Sequence, residues 1–286
     1  MKALVWLASA LTAVVLLTGC GGKGSSSTTT PTGPVASILK ITSDQLVYRQ
    51  PTTLTITGQN LTNGLTINNY GCLGMTEVGT GTATQRVYTC KMIAVGTVVL
   101  RVLASDNSLI YSGTLIIPPP ALPPQVTMVT SMGTIAMQLE PSKAPISVDN
   151  FLNYVESNFY PNTIFHRVIS NFVIQGGGYT ASLTQPATQA AIKLESGNGL
   201  KNVRGSLAMA RQTAADTATS QFFINVVDNT SLDATNAGVD GYAVFGAVIS
   251  GLDVVDKISA VPTTTSGTLT NVPVTPVVIN SVTRTQ

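Results

Sequence analysis

The fold of the second half of the chain is decided by residues 165–177, which read Phe165-His166-Arg167-Val168-Ile169-Ser170-Asn171-Phe172-Val173-Ile174-Gln175-Gly176-Gly177. Short apolar segments and glycine-rich turns continue on both sides of this stretch, a pattern that indicates short strands. Upstream, residues 126–130 and the alternating residues 134–139 are joined at Gly133 and predict a hairpin. The stretch is therefore expected to lie in a closed sheet or β-barrel.

Two helices are predicted to accompany these strands. Ser147 is the expected N-cap of the first helix. Its apolar residues recur at helical spacing: Val148, Phe151, Leu152 and Val155. The second helix is predicted at residues 252–259, with Leu252, Val255 and Ile258 on one face.

The decisive stretch resembles the central signature of the cyclophilins, a family of peptidyl-prolyl cis/trans isomerases. Four further motifs continue the resemblance in the same order: residues 204–210 (RGSLAMA), 219–224 (TSQFFI), Leu232-Asp233 and 244–246 (VFG). The resemblance covers Val126 to the C-terminus and is greatest for the periplasmic enzymes of Gram-negative bacteria. It implies an eight-stranded antiparallel β-barrel capped by two helices, and it implies isomerase activity on X-Pro bonds.

The resemblance also assigns roles to individual residues. It implies catalytic roles for Arg167, which is the donor, and for Phe172 and Gln175. It implies substrate-binding roles for Val173, Met209, Ala210, Arg211, Gln221, Phe223, Leu232 and Tyr242. Each apolar member of this set has an alternative interpretation as ordinary barrel core, which is the common location of such residues.

Four positions depart from the best-known eukaryotic pattern. Ser231 stands where those enzymes carry Trp, Tyr242 where they carry His, Arg211 where they carry Asn, and Val173 where Met is commoner. The missing Trp is expected to weaken cyclosporin binding. Activity is expected to survive these changes, with an altered preference for the residue before proline.

Other enzyme classes fit the sequence poorly. His166 is the only His, so a Ser/His/Asp hydrolase would depend on it, and no Gly-x-Ser-x-Gly elbow is present. Residues 176–178 lack the Lys-Ser/Thr that follows the glycines of a phosphate-binding loop. No metal or organic cofactor is expected. An alternative from another class stays open, namely a non-catalytic lipoprotein that binds proline-containing segments or acts as a scaffold.

The first half of the chain is predicted to form a second domain. A proline-rich linker at residues 118–124 separates the expected isomerase domain, residues 125–286, from a β-sandwich at residues 36–117. Residues 54–61 resemble the strand and turn of bacterial immunoglobulin-like and IPT/TIG repeats. Cys72 and Cys90 are expected to form a disulfide in an exported protein, because two Cys alone cannot complete a metal site.

The N-terminus has the pattern of a lipoprotein signal. A Lys and an apolar run fill residues 1–19, and Leu17-Thr18-Gly19-Cys20 resembles the bacterial lipobox. We therefore predict a lipid on Cys20 and a flexible tether over residues 20–35. Gly21, and not Asp, follows the Cys, and by resemblance to sorted lipoproteins this favours the outer membrane, with the protein on its periplasmic side.

Composition limits the remaining possibilities. Charged residues are 10% of the chain and the net charge is +2, without a basic cluster, so a nucleic-acid partner is not expected. The hydrophobic content of 44% is sufficient for folded cores. The expected partners are proline-containing polypeptides and the membrane, and the expected oligomeric state is a monomer.

Overall fold

The computed structural model describes residues 35–62, 64–69, 71–235 and 240–286. The chain forms two compact units that divide between Pro118 and Pro119. The predicted signal at residues 1–19, the lipidation site Cys20 and all of the predicted tether except Val35 lie outside the described residues. Among the described residues, none belongs to a helix long and apolar enough to cross a membrane.

The first unit is a sandwich of two antiparallel sheets. Its strands are β1 (Ser37–Ser43), β2 (Pro51–Gln59), β3 (Thr66–Asn69), β4 (Cys72–Glu77), β5 (Gln85–Met92), β6 (Gly96–Leu103) and β7 (Leu109–Ile117). The sheet orders are β1-β2-β5-β4 and β3-β6-β7. Leu54 and Met92 of the first sheet pack with Val98, Leu100 and Leu115 of the second, so the two sheets enclose a common core.

The alternating pattern of β2 is confirmed, because Leu54 and Ile56 are buried whereas the intervening threonines are partly exposed. Cys72 on β4 and Cys90 on β5 are joined by a disulfide, with their Cα atoms 5.5 Å apart. Closing a loop of 18 residues stabilises the folded state by about 3 kcal/mol on the chain-entropy model. The relation of this sandwich to IPT/TIG repeats stays a prediction.

The second unit is an eight-stranded antiparallel barrel with two helices, as predicted. Its elements are β8 (Gln125–Thr130), β9 (Gly133–Leu139), α1 (Pro145–Glu156), β10 (Thr163–Ile169), β11 (Val173–Thr180), β12 (Ser206–Met209), β13 (Phe222–Asn225), β14 (Val244–Ser250), α2 (Leu252–Ser259), β15 (Thr263–Ser266), β16 (Leu269–Pro273) and β17 (Ile279–Arg284). The barrel order is β10-β11-β13-β12-β14-β9-β8-β17, and β15 and β16 form a separate hairpin. Ile164 bridges to Val278, and Phe165 donates its backbone N–H to the Val277 carbonyl at 3.0 Å, so the first and last strands meet.

Aromatic and aliphatic side chains fill the barrel interior. Phe151 of α1 lies against the rings of Tyr160, Phe222 and Phe245, with centroid distances of 5.3, 5.6 and 5.3 Å. Val148, Leu152 and Val155 are buried in the same core, so the predicted apolar face of α1 is confirmed. The hairpin of β8 and β9 and the bounds of α2 are also confirmed.

The predicted cap of α1 is wrong. The N-cap residue is Ala144, which offers no side-chain hydrogen bond, and the helix begins at Pro145. Ser147 lies inside the first turn, where its hydroxyl donates to a Glu195 carboxylate oxygen at 2.7 Å. The capping acceptor therefore comes from a segment distant in sequence, which a local capping rule does not detect.

Candidate active site

The predicted site residues meet because strand register aligns them across the outer face of the barrel. Arg167 of β10 pairs with Gln175 of β11, and Gln175 pairs with Phe223 of β13. Phe223 in turn pairs with Ala208 of β12, which pairs with Val244 of β14. Paired residues in neighbouring strands point to the same face of a sheet. One row of side chains thus crosses five strands.

Alternation along the same strands separates this outer row from the barrel core. Ile174, Ile224 and Leu207 point into the interior. A separate buried cluster forms outside, with further partly exposed apolar residues against it: Val173, Ala208, Ala210, Phe223 and Val244, together with Phe172, Leu200, Leu232 and Tyr242. The outer cluster forms an apolar surface on the barrel wall.

A pocket of about 190 Å³ opens on this outer cluster. It is lined by Arg167, Phe172, Val173, Gln175, Ala210, Arg211, Phe223, Leu232 and Tyr242. Every lining residue is one to which the sequence assigns a catalytic or substrate-binding role. The pocket combines an apolar floor with guanidinium, amide and phenol groups at its edge.

Two amides orient the guanidinium of Arg167. Its Nη1 donates to Gln175 Oε1 at 3.3 Å, and Gln175 Nε2 donates to Gln221 Oε1 at 2.9 Å. Arg167 is partly exposed, and within the described ranges no carboxylate forms an ion pair with it. Its positive charge is therefore directed to the pocket and not neutralised by a neighbouring acid. Gln221 acts from behind Gln175 and does not line the pocket.

Gly178 makes room for Gln221. A Cβ at this glycine would lie 2.5 Å from Gln221 Cδ and 2.7 Å from its Nε2, which is closer than real contacts allow. The neighbouring Gly177 adopts a φ of 77° and approaches the rings of Tyr160 and Phe222. The glycine run is thus explained by close approach and by a positive φ, and not by phosphate binding.

We expect Gly178→Ala to lower kcat/KM for an Ala-Pro peptide by about tenfold, because displacing Gln221 removes one hydrogen bond that holds Gln175. The free energy of unfolding is expected to change by only about 1 kcal/mol, since Gln221 is a flexible side chain at a partly exposed position. Isomerisation kinetics and denaturant unfolding measure the two effects. In a Gln221→Ala background, Gly178→Ala should have little further effect on kcat/KM; an additive loss would contradict this coupling.

A second guanidinium, that of Arg211, also lines the pocket. Arg211 Nε donates to the Gly241 carbonyl, and Nη1 donates to the carbonyls of Gln212 and Thr213, each at 2.9 Å. Its Cζ lies 4.9 Å from the centroid of the Tyr242 ring, in cation–π contact. Tyr242 packs edge-on against Phe223, with centroids 5.5 Å apart.

A buried polar network that sequence reasoning missed supports the pocket floor. Asn229 Nδ2 donates to the Phe172 carbonyl at 2.9 Å and to Asn225 Oδ1 at 2.7 Å. Asn202 Nδ2 donates to the Leu232 carbonyl at 3.1 Å and to Asp233 Oδ1 at 3.0 Å. These bonds fix the backbone of two lining residues, Phe172 and Leu232.

Asp233 is the charged member of this network. Its burial raises the pKa of the carboxyl, but hydrogen bonds from Asn202 and the charge of Lys201 outweigh that effect and hold the pKa below its usual value. The carboxylate stays ionised and accepts from both the backbone N–H and the amide of Asn202. Only the Leu232-Asp233 motif pointed to this residue in the sequence.

Met209, like Gln221, does not line the pocket, and of the predicted binding residues it is the one that lies in the barrel core. Its side chain belongs to the barrel core and is 1% exposed. The alternation of β12 explains this, because Ala208 and Ala210 face outwards and Met209 between them faces inwards. The structure does not bring Met209 to the pocket.

His166, next to Arg167, is buried and packs against Tyr179 at a centroid distance of 4.7 Å. Burial lowers its pKa to about 4, so the imidazole is neutral at neutral pH. Its Nδ1 has no hydrogen-bond partner among the described residues. This environment suits a structural side chain. In the described parts of the chain, no group of three or more His, Cys, Asp or Glu is arranged to hold a metal ion.

An antiparallel barrel whose outer wall has an apolar pocket beside an oriented guanidinium has a site suited to a small apolar ring with an adjacent polar group. The family model described as cyclophilin type peptidyl-prolyl cis-trans isomerase/CLD matches residues 125–284. The chain therefore belongs to the cyclophilin type peptidyl-prolyl cis-trans isomerases, as its motifs predict.

Relatives of this family align with the barrel unit. A peptidyl-prolyl cis-trans isomerase of Acinetobacter baylyi is 58% identical over 157 residues, which are 55% of this chain and 83% of that protein. Peptidyl-prolyl cis-trans isomerase B of Escherichia coli is 52% identical over 160 residues, covering 55% of this chain and 98% of the relative. A crystal structure of a Cryptosporidium parvum cyclophilin type isomerase, 26% identical, aligns with a TM-score of 0.48 over 58% of this chain and 99% of its own.

Proposed function

We propose that this peptidyl-prolyl isomerase acts on exported polypeptides in the periplasm, where a lipid on Cys20 anchors it to the outer membrane. We further propose that Arg167 supplies the main electrostatic contribution to catalysis. The oriented and unneutralised guanidinium of Arg167 beside the apolar pocket is the observation that carries the catalytic proposal.

The reaction sets the amount of stabilisation that the pocket must supply. Amide resonance opposes X-Pro rotation with a barrier of about 18–20 kcal/mol, so the uncatalysed step takes tens of seconds or longer. Raising the rate from about 10⁻² to about 10³ s⁻¹ requires the barrier to fall by about 7 kcal/mol. One preorganised charged donor contributes about 3–4 kcal/mol of this, and restricting the orientation of the peptide contributes the remainder.

The lining residues have separate roles in this mechanism. Phe223, Val173 and Leu232 hold the proline ring, and Gln175 orients Arg167. As the amide twists, its nitrogen loses resonance and regains a lone pair, to which the guanidinium donates. No bond is made or broken, and no proton is transferred. The neutral His166 is consistent with such a mechanism.

The location rests on the N-terminal sequence. The lipobox-like Leu17-Thr18-Gly19-Cys20 and the polar residues after it support a lipoprotein. The disulfide between Cys72 and Cys90 supports an oxidising compartment. We propose that the immunoglobulin-like sandwich holds the isomerase domain away from the membrane.

The full chain, produced in a Gram-negative host, tests both parts of this proposal. We expect exchange cross-peaks between the cis and trans forms of an Ala-Pro peptide with catalytic amounts of protein. We also expect the wild type in the outer-membrane fraction and an acylated Cys20 by mass spectrometry, whereas Cys20→Ala should leave that fraction. Peptide binding without exchange would favour the non-catalytic alternative, and unprocessed wild-type chain in the cytoplasm would overturn the proposed location.

A further inference from the structure

The charge of the pocket is one-sided. Arg167 and Arg211 are among its lining residues, and none of the described residues that line it is acidic. Neither arginine forms an ion pair with a carboxylate in the described parts of the chain. A concave site lined by charge of one sign concentrates the field inside it and favours ligands of the opposite sign.

Arg211 is held rigidly while part of its donor capacity is unused. Three backbone carbonyls accept from Nε and Nη1, and the Tyr242 ring lies against the guanidinium plane. Nη2 has no hydrogen-bond partner among the residues that the structure describes. A guanidinium carries five N–H donors, so two of them remain for a ligand, already fixed in direction.

The nearby carboxylates do not neutralise this group. Asp233 follows the lining residue Leu232, but its oxygens accept from Asn202 and from Lys201, whose Nζ lies 3.5 Å from Oδ2. Asp240 is two positions from Tyr242; it is exposed, and within the described ranges it forms no ion pair. Neither carboxylate lines the pocket.

The distance between the Phe223 ring, on which the proline is proposed to rest, and Arg211 suits a contact with the residue next to the proline. Tyr242 lies between Phe223 and Arg211, with centroid distances of 5.5 and 4.9 Å to the Phe223 ring and to Arg211 Cζ. The guanidinium is therefore no farther than about 10 Å from the ring on which the proline is proposed to rest. An extended peptide advances about 3.3–3.6 Å per residue. The length of the Glu side chain and of its hydrogen bond to Nη2 add to this advance, so a Glu next to the proline can reach Arg211.

We propose that Arg211 makes this enzyme select substrates with an acidic residue next to the proline and discriminate against a lysine there. The inference rests on the proposed binding of the proline ring over Phe223. It deepens the function by naming a substrate class: exported segments that contain Glu-Pro or Pro-Glu. Arg211 selects the residue that flanks the proline, whereas Arg167 donates a hydrogen bond to the nitrogen of the rotating amide.

The test compares peptides that differ in one side chain. Full-length protein is titrated with Ala-Xaa-Pro-Ala and Ala-Pro-Xaa-Ala, where Xaa is Glu, Gln or Lys, and both Kd and exchange rate are recorded by NMR. In at least one of the two series we expect the Glu peptide to bind about tenfold more tightly than the Lys peptide at low salt. At 0.5 M salt we expect this ratio to fall to about twofold. The Gln peptide reports isomerase activity without a charge.

Variants assign the preference to one side chain. Arg211→Gln should reduce the Glu-to-Lys affinity ratio to about twofold, because only Arg167 remains, whereas Arg211→Lys should retain most of it. Arg204→Gln removes an equal charge from the outer surface, where Arg204 pairs with Asp256, and should retain the full ratio. A wild-type ratio near one, or the same ratio in wild type and Arg211→Gln, would overturn the inference.

The two proposals fail in different ways. Failure to accelerate exchange of the Gln peptide would overturn the catalytic proposal, while the Kd ratio would still decide the role of Arg211. Normal exchange of the Gln peptide without a charge preference would overturn only the substrate inference.

Discussion

Replacing Arg167 by alanine is expected to lower kcat/KM for Ala-Pro isomerisation by about 100- to 1,000-fold, the usual effect of removing one preorganised donor from a transition state. Arg167 is the guanidinium that Gln175 orients at the pocket, with no described carboxylate to neutralise it. In the proposed mechanism its interaction strengthens as the proline nitrogen regains a lone pair, so most of the loss should be in kcat. Exchange NMR at several peptide concentrations separates kcat from KM.

The controls for Arg167 distinguish charge, geometry and folding. Arg167→Lys keeps the charge without the planar fork and should lose an intermediate amount of activity, about 10- to 100-fold. Thermal unfolding of both variants should match the wild type closely, because the Arg167 side chain is partly exposed and makes one long hydrogen bond to the described residues. Full activity of folded Arg167→Ala would show that orientation of the peptide alone accounts for catalysis.

Local sequence patterns predicted the elements whose stabilising contacts are local. The hairpin of β8 and β9 follows from alternation on two strands joined at Gly133, and α2 follows from one apolar face. The pocket was predicted by another route. Its lining residues were assigned by motif resemblance, since an outward-facing Phe223 and an inward-facing Phe222 look alike in composition.

The wrong cap of α1, the missed polar network and the missed constraint on Gly178 have a common physical cause, which is contact between residues distant in the chain. Asn229 and Asn202 belong to no periodic pattern in the sequence. Their partners, Phe172 and Leu232, lie 57 and 30 positions away. The run of three glycines does not reveal that Gly178 is constrained by Gln221. Met209 was assigned by its place in a motif, although alternation between Ala208 and Ala210 would have turned it inwards.

Glu195 is the second distant contact with a large expected effect, because it completes the N-terminus of α1. Its Oε1 accepts from Ile146 N at 3.0 Å, and its Oε2 accepts from Ser147 N at 2.7 Å. Pro145 at the first position has no N–H, and Val148 N already donates to the Ala144 carbonyl. One buried carboxylate thus satisfies the two N–H groups that the first turn leaves open, and its charge complements the helix dipole.

We expect Glu195→Ala to lower the free energy of opening of α1 by about 3 kcal/mol, because two N–H groups lose a charged acceptor in a buried site. Native-state hydrogen exchange at Phe151 and Leu152 measures this directly, as a drop in protection of about 100-fold or more. Site-specific exchange is preferable to a single melting curve, since the chain has two units and its unfolding need not be two-state.

The matched control is Ser147→Ala, which removes only the hydroxyl that donates to the same carboxylate. It is expected to cost about 1 kcal/mol or less, because one hydrogen bond is lost while alanine favours the helix. Glu195→Gln should lie between the two variants, since an amide keeps the shape but has one acceptor oxygen and no charge. If Ser147→Ala cost as much as Glu195→Ala, the serine and not the distant carboxylate would be the effective cap. The local capping rule would then be right in substance although it placed the helix start wrongly.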